Sequence, residues 1–141
     1  MVGHLVELSA SECDALLRSH TVGRVGIVER GFPLILPVHY QMVEHPAGPR
    51  VRFRTRADNV IDHPGGPVSF QLDGVGSDRT SGWSVLIRGV LVTAAPLDIA
   101  EADSIRVLHH TESLEIVPIE TTGRRLIEAN GCWTFDPRGY L

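Results

Sequence analysis

Residues 52–60, RFRTRADNV, decide how the rest of the chain is read. Arginines recur at every second position, Arg52, Arg54 and Arg56. That is the period of a β-strand, whose successive side chains leave on opposite faces. Taken from Arg50, the alternation sets Val51, Phe53 and Thr55 on one face and Arg50, Arg52 and Arg54 on the other. Such a strand belongs in the wall of a sheet, with a core behind its apolar side. Its end reads as an anion-binding corner. A phosphate corner is expected to continue with Lys or Ser, and this one carries Asp58 and Asn59.

The same period extends in both directions. VGRVGIV (22–28) is β-branched, and PLILPVHYQMV (33–43) is long and apolar, with Pro37 marking a bulge or an edge. PVSFQLD (67–73) sends Val68, Phe70 and Leu72 inward, and WSVLIRGVLVTAA (83–95) holds Gly89 as a bulge or barrel bend. LEIVPIETTGRRLI (114–127) reads as a strand interrupted by Pro118. ERGF and HPAGP supply turns. Two segments read as helices. In LSASECDALLRSH, Ser9 and Glu12 form a capping box, Leu8 and Cys13 a hydrophobic staple, and Cys13, Leu16 and Leu17 the buried stripe. LDIAEADSIRVLHH repeats the capping pattern with Asp98 and Glu101. Six strands, one helix before them and one between the last two, predict a mainly β, antiparallel barrel with flanking helices, all in one domain. Residues 1–8 and 128–141 read as tails.

The bulk numbers fit. The chain has 141 residues, the size of one domain, and 43% are hydrophobic, which excludes disorder. A net charge of −4 argues against a nucleic-acid partner, whose recognition is dominated by cationic charge. No window approaches the roughly 20 apolar residues of a membrane span, and the N-terminus lacks the pattern of a signal peptide. The cytoplasm is the expected compartment. Cys13 and Cys132 have no metal-ligand spacing and read as two free thiols rather than a disulfide.

Protein-borne catalysis finds no motif. There is no phosphate loop, zinc helix or Gly-x-Ser-x-Gly elbow. GVGSDR (74–79) begins like a dinucleotide fingerprint, but a strand follows it. His109 and His110 are adjacent, which on a helix points them about 100° apart and suits a capping role near its end. An enzyme of this composition would leave the chemistry to an organic cofactor.

In their order, VGRVGIV…PLILPVHY, VRFRT, GPVSFQLD, GWSVLIRG and VPIETTGRRL resemble the pyridoxamine 5′-phosphate oxidase-like, FMN-binding split-barrel family, particularly its small actinobacterial members. The resemblance covers residues 9 to 127. It implies a six-stranded split β-barrel, a homodimer, and flavin sites at the subunit interface. Members use FMN or the deazaflavin F420, bind haem-type ligands, or have lost their cofactor. Pro37–Tyr40 would run along the flavin ring, with the backbone of Val38 and His39 offering hydrogen bonds. Arg54 and Thr55 would meet the phosphate, with Asn59 adding an amide. Trp83 and Ser84 would approach the ring, and Tyr40 or His39 could donate a proton. Arg124 and Arg125 match a recurrent Gly-Arg-Arg ending of unassigned role. Arg50 and Arg52 are expected on a solvated outer face.

Three functions follow as alternatives. The first is an FMN-binding oxidoreductase acting by hydride or electron transfer. The second is an F420-dependent reductase. The third is a non-catalytic split-barrel binding or interaction protein, which Asp58-Asn59 and the negative charge favour. Full pyridoxamine-phosphate oxidase activity is not expected, because the basic C-terminal segment used for substrate phosphate is missing.

Overall fold

The structure is a computed structural model that describes residues 4–56, 65–77, 81–94 and 111–127. The second expected helix, Asp58, Asn59, His109, His110, Cys132 and the C-terminal tail lie outside the described residues.

Seven strands and one helix are described: β1 (His4–Glu7), α1 (Ala10–Ser19), β2 (Val22–Glu29), β3 (Phe32–Val43), β4 (Arg50–Arg56), β5 (Pro67–Val75), β6 (Gly82–Thr93) and β7 (Thr111–Ile127). The sheet order is β1-β7-β4-β3-β2-β5-β6, and β6 also pairs with β7. Six strands therefore close into a ring, as the sequence led one to expect. Every pairing is antiparallel.

Local chemistry explains the elements. Ser9 caps α1 by accepting from the Glu12 N–H, and the Glu12 carboxylate accepts from the Ser9 N–H, completing the box. The β2–β3 turn places Arg30 at φ 50° and Gly31 at φ 81°. That left-handed pair matches the twist of a two-residue hairpin. Gly89 sits where the β6–β7 register shifts, and it pairs with Pro118. β7 runs through Pro118 without interruption, contrary to the sequence expectation. Proline has no N–H for the ladder, and the register skips its neighbour Ile119, so the bulge lies on β7 itself, opposite Arg88 and Gly89. A Cβ at Gly89 would stand 2.3 Å from the Val117 carbonyl oxygen, so only glycine fits this close approach.

The core holds Phe70, Ile87, Leu91, Leu114 and Ile116, all but inaccessible. Leu8 and Cys13 press against the same glycine, Gly123 of β7, which docks α1 on the barrel. Two expectations are corrected. Residues 4–7, read as tail, form β1 and pair with Arg124–Ile127, and the Leu8 N–H donates to the Gly123 carbonyl at 2.8 Å. Arg52, read as solvated, is 3% exposed. It stands opposite Glu115 of β7, and Arg50 approaches the same carboxylate, at 3.7 and 3.5 Å respectively. Buried charges survive only when paired, and Glu115 is the pairing that the period of β4 could not reveal.

The ring opens where β3 and β4 stop pairing. β3 pairs with β2 along Phe32–His39 and with β4 only along Tyr40–Val43. β4 continues past Phe53 on β7 alone, through Arg56. The two strands therefore part between His39 and Arg54.

Candidate functional site

Strand alternation sorts the expected site residues. Phe53 faces the core and is buried, so its neighbour Arg54 stands on the opposite, outer wall and is exposed. On β3, Val38 and Tyr40 are buried while His39 between them is exposed. The split thus brings the backbone edge of Val38–His39 alongside the end of β4, where Arg54 and Thr55 pair with Ser113 and Glu112 of β7. A strand edge without its ladder partner offers main-chain donors and acceptors, here beside a guanidinium. These four residues come together at the opening.

Tyr40 does not join them through its side chain. Its hydroxyl donates to the Leu17 carbonyl of α1 at 2.6 Å, and its ring meets Phe70 edge-on at 4.8 Å between centroids. Burial pushes its pKa up to about 12. This phenol is a structural tie between helix and barrel, and its proton is committed.

Trp83 and Ser84 lie on β6, with β5 and β2 between them and β3. Three strand spacings correspond to roughly 14 Å around the wall. Trp83 is half-buried, 5.0 Å from the His20 ring between centroids, and its indole covers Gly74. A Cβ at Gly74 would fall 2.7 Å from Nε1, so the tryptophan seat depends on that glycine. Val22, two residues after His20, pairs with His39, which links the Trp83 corner to the split. Arg124 and Arg125 lie between β1 and β6, opposite Ser84 and Trp83 in register. Asn59 lies outside the described residues.

Three further residues join the same outer wall. Arg24 of β2 pairs with Pro37 across the ladder, and its Nη1 donates to Gln71 Oε1 and Asp73 Oδ1, both at 3.0 Å. The only sequence signal was a charged residue at an alternating position of an apolar strand. Its partners lie 47 and 49 residues away, beyond the reach of periodicity. Arg24 and Arg54 bring two guanidinium groups to this stretch of a chain of net charge −4, with Asp73 beside Arg24. Cys13, by contrast, is a buried thiol whose pKa is raised by burial and then by the charge of Glu12, which makes it unreactive.

The profile of the pyridoxamine 5′-phosphate oxidase family matches residues 9–125. The chain belongs to that family. It is 28% identical over 133 residues to an uncharacterised protein of Mycobacterium tuberculosis, covering 87% of this chain and 86% of that one. Among solved structures, an FAD-binding protein of Mycobacterium smegmatis matches with a TM-score of 0.65 and 29% identity, over 86% of this chain and 98% of its own. A Corynebacterium diphtheriae protein of unknown function matches with a TM-score of 0.68 and 25% identity, over 87% and 98% of the two chains. An FAD-binding protein of Mesorhizobium loti, 21% identical, shares the fold with a TM-score of 0.69 over 89% and 99%. Family membership accounts for the closed six-stranded ring. No helix of the described residues is long and apolar enough to cross a membrane.

Proposed function

We propose that this member of the family is a flavin-binding oxidoreductase whose cofactor lies on the outer wall at the split between β3 and β4. The observation that carries the reading is the parting of those strands at His39 and Arg54, where main-chain edge and cation stand side by side. The donor set fits a flavin nucleotide. A guanidinium grips a phosphate with paired, charge-assisted hydrogen bonds. The backbone edge of Val38–His39 suits the polar margin of a flavin ring, and Ser84 extends the polar wall beyond β2 and β5.

A bound flavin supplies hydride and electron transfer at its ring. The chain supplies the rest. Arg54, with Thr55, holds the phosphate, and Val38 and His39 orient the ring edge. Tyr40 is withdrawn from proton transfer by its bond to Leu17. His39, exposed on the wall, is the side chain available to move a proton.

The same reading includes a homodimer. Val28, Phe32, Ile35 and Ile119 are 69 to 75% exposed. Val28, Ile35 and Ile119, with Pro33 and the Arg88 and Glu120 pair, line a depression of about 570 Å³ beside the β2–β3 hairpin. Exposed apolar surface of this kind marks an interaction site, and a second copy of the chain is the partner the family reading assigns to it.

The test is the visible spectrum of the purified chain, recorded as isolated and again after incubation with FMN, FAD or F420 and desalting. Retained flavin absorbance is the expected result. A deazaflavin spectrum would move the reading to the F420 alternative, and a colourless protein throughout would contradict cofactor binding.

A further inference from the structure

We infer that Arg24 is a second anion-binding point of this site, taking a phosphate-type oxyanion distinct from the one assigned to Arg54. The inference rests on the reading above and deepens it by naming what else the site recognises.

Arg24 is held rather than merely exposed. A single nitrogen, Nη1, donates to both Gln71 and Asp73. Among the described residues nothing engages Nε or Nη2, so the outer edge of the fork stays presented in a fixed direction. Arginine recognises phosphate through that paired edge, and prior orientation reduces the freedom lost on binding. Beside it lies a dent of about 130 Å³ lined by Val22, Gly23, Arg24, Pro37 and Asp73. Pro37 has no N–H to donate there, and Arg24 is the one cationic group among the residues that line the dent.

Position gives the function. Pro37 pairs directly with Arg24 and lies two residues before His39 on the same wall, roughly 7 Å along the strand. An oxyanion at Arg24 would therefore sit next to, and not on top of, a group held at Arg54. Asp73 offsets part of the charge of Arg24, and Arg54 brings a second guanidinium to the same wall. Two ligands carry such a group: the second phosphate of a dinucleotide flavin, and a phosphorylated substrate bound beside the flavin.

The experiment compares the wild-type chain with Arg24→Gln in three calorimetric titrations: FMN, FAD, and inorganic pyrophosphate added with and without FMN. The Arg24–Asp73 pair is half-exposed, and exposed ion pairs add little stability, so the variant is expected to fold, with an unchanged thermal midpoint as the control. A loss of about tenfold or more for FAD with FMN nearly unchanged assigns the oxyanion to the cofactor. Unchanged FMN and FAD with lost pyrophosphate binding assigns it to a substrate. Equal losses for all three ligands, or no loss for any, overturns the inference. A wild-type chain that binds neither flavin, yet binds pyrophosphate through Arg24, would sink the flavin reading and leave this one standing.

Discussion

At Tyr40 the hydroxyl lies inside the barrel, donating to the Leu17 carbonyl, although the family resemblance had placed the residue along a flavin ring. Tyr40→Phe should therefore lower stability by about 1–2 kcal/mol, because a buried acceptor loses its donor, while leaving flavin affinity essentially unchanged. Denaturant unfolding and a flavin titration separate the two effects. A large loss of affinity with stability intact would return Tyr40 to the site. The same residue sets a pH dependence. Its proton is held to about 12 when folded against an ordinary value of 10.0. The stabilisation is whole below pH 10 and disappears as the pH rises through 12, since an unfolded chain releases that proton first. Thermal midpoints measured across that window should fall more steeply for the wild type than for Tyr40→Phe. Sequence alone could not place the phenol. Alternation put Tyr40 and His39 on opposite faces, but which face was core depended on strands far away in the chain.

Among the elements, α1 and β7 were legible to different depths. The capping box of α1 is a local hydrogen-bond exchange over three residues, and it stands as read from Ser9 and Glu12. The docking of the helix is not local, because it depends on Gly123, more than a hundred residues away, against which Cys13 and Leu8 close. A Cβ there would lie 2.4 Å from the Cys13 Sγ and 3.0 Å from Leu8 Cδ1. Gly123→Ala should destabilise by about 1–3 kcal/mol through overpacking, measurable by chemical denaturation. A neutral effect would mean that α1 is not seated on β7 as described. Strand β1 escaped notice because four residues are too few for a period to emerge, and its pairing is with the other end of the chain. The arginine stripe was legible as a strand but not as an environment. Arg52 and Glu115 are 63 positions apart, and only their register makes them a buried pair.

For the whole molecule, the closed ring followed from six alternating segments, whereas its split did not, because the split is a property of which strands stop pairing. The exposed hairpin belongs to this scale as well. Ile35→Lys or Phe32→Lys should shift the chain toward monomer in sedimentation velocity without unfolding it, since a charge in an apolar interface is desolvated without a partner. A wild-type chain already monomeric at high concentration would contradict the dimer. The central claim is that the opening at His39 and Arg54 holds a flavin phosphate. It is tested most directly by titrating the chain and its Arg54→Ala variant with FMN and FAD. Saturable binding by the wild type is expected, with the variant weakened by about one to two decades, the worth of roughly 1.5–3 kcal/mol of charge-assisted hydrogen bonding. Equal affinity in the two proteins, or no binding in the wild type, would contradict it.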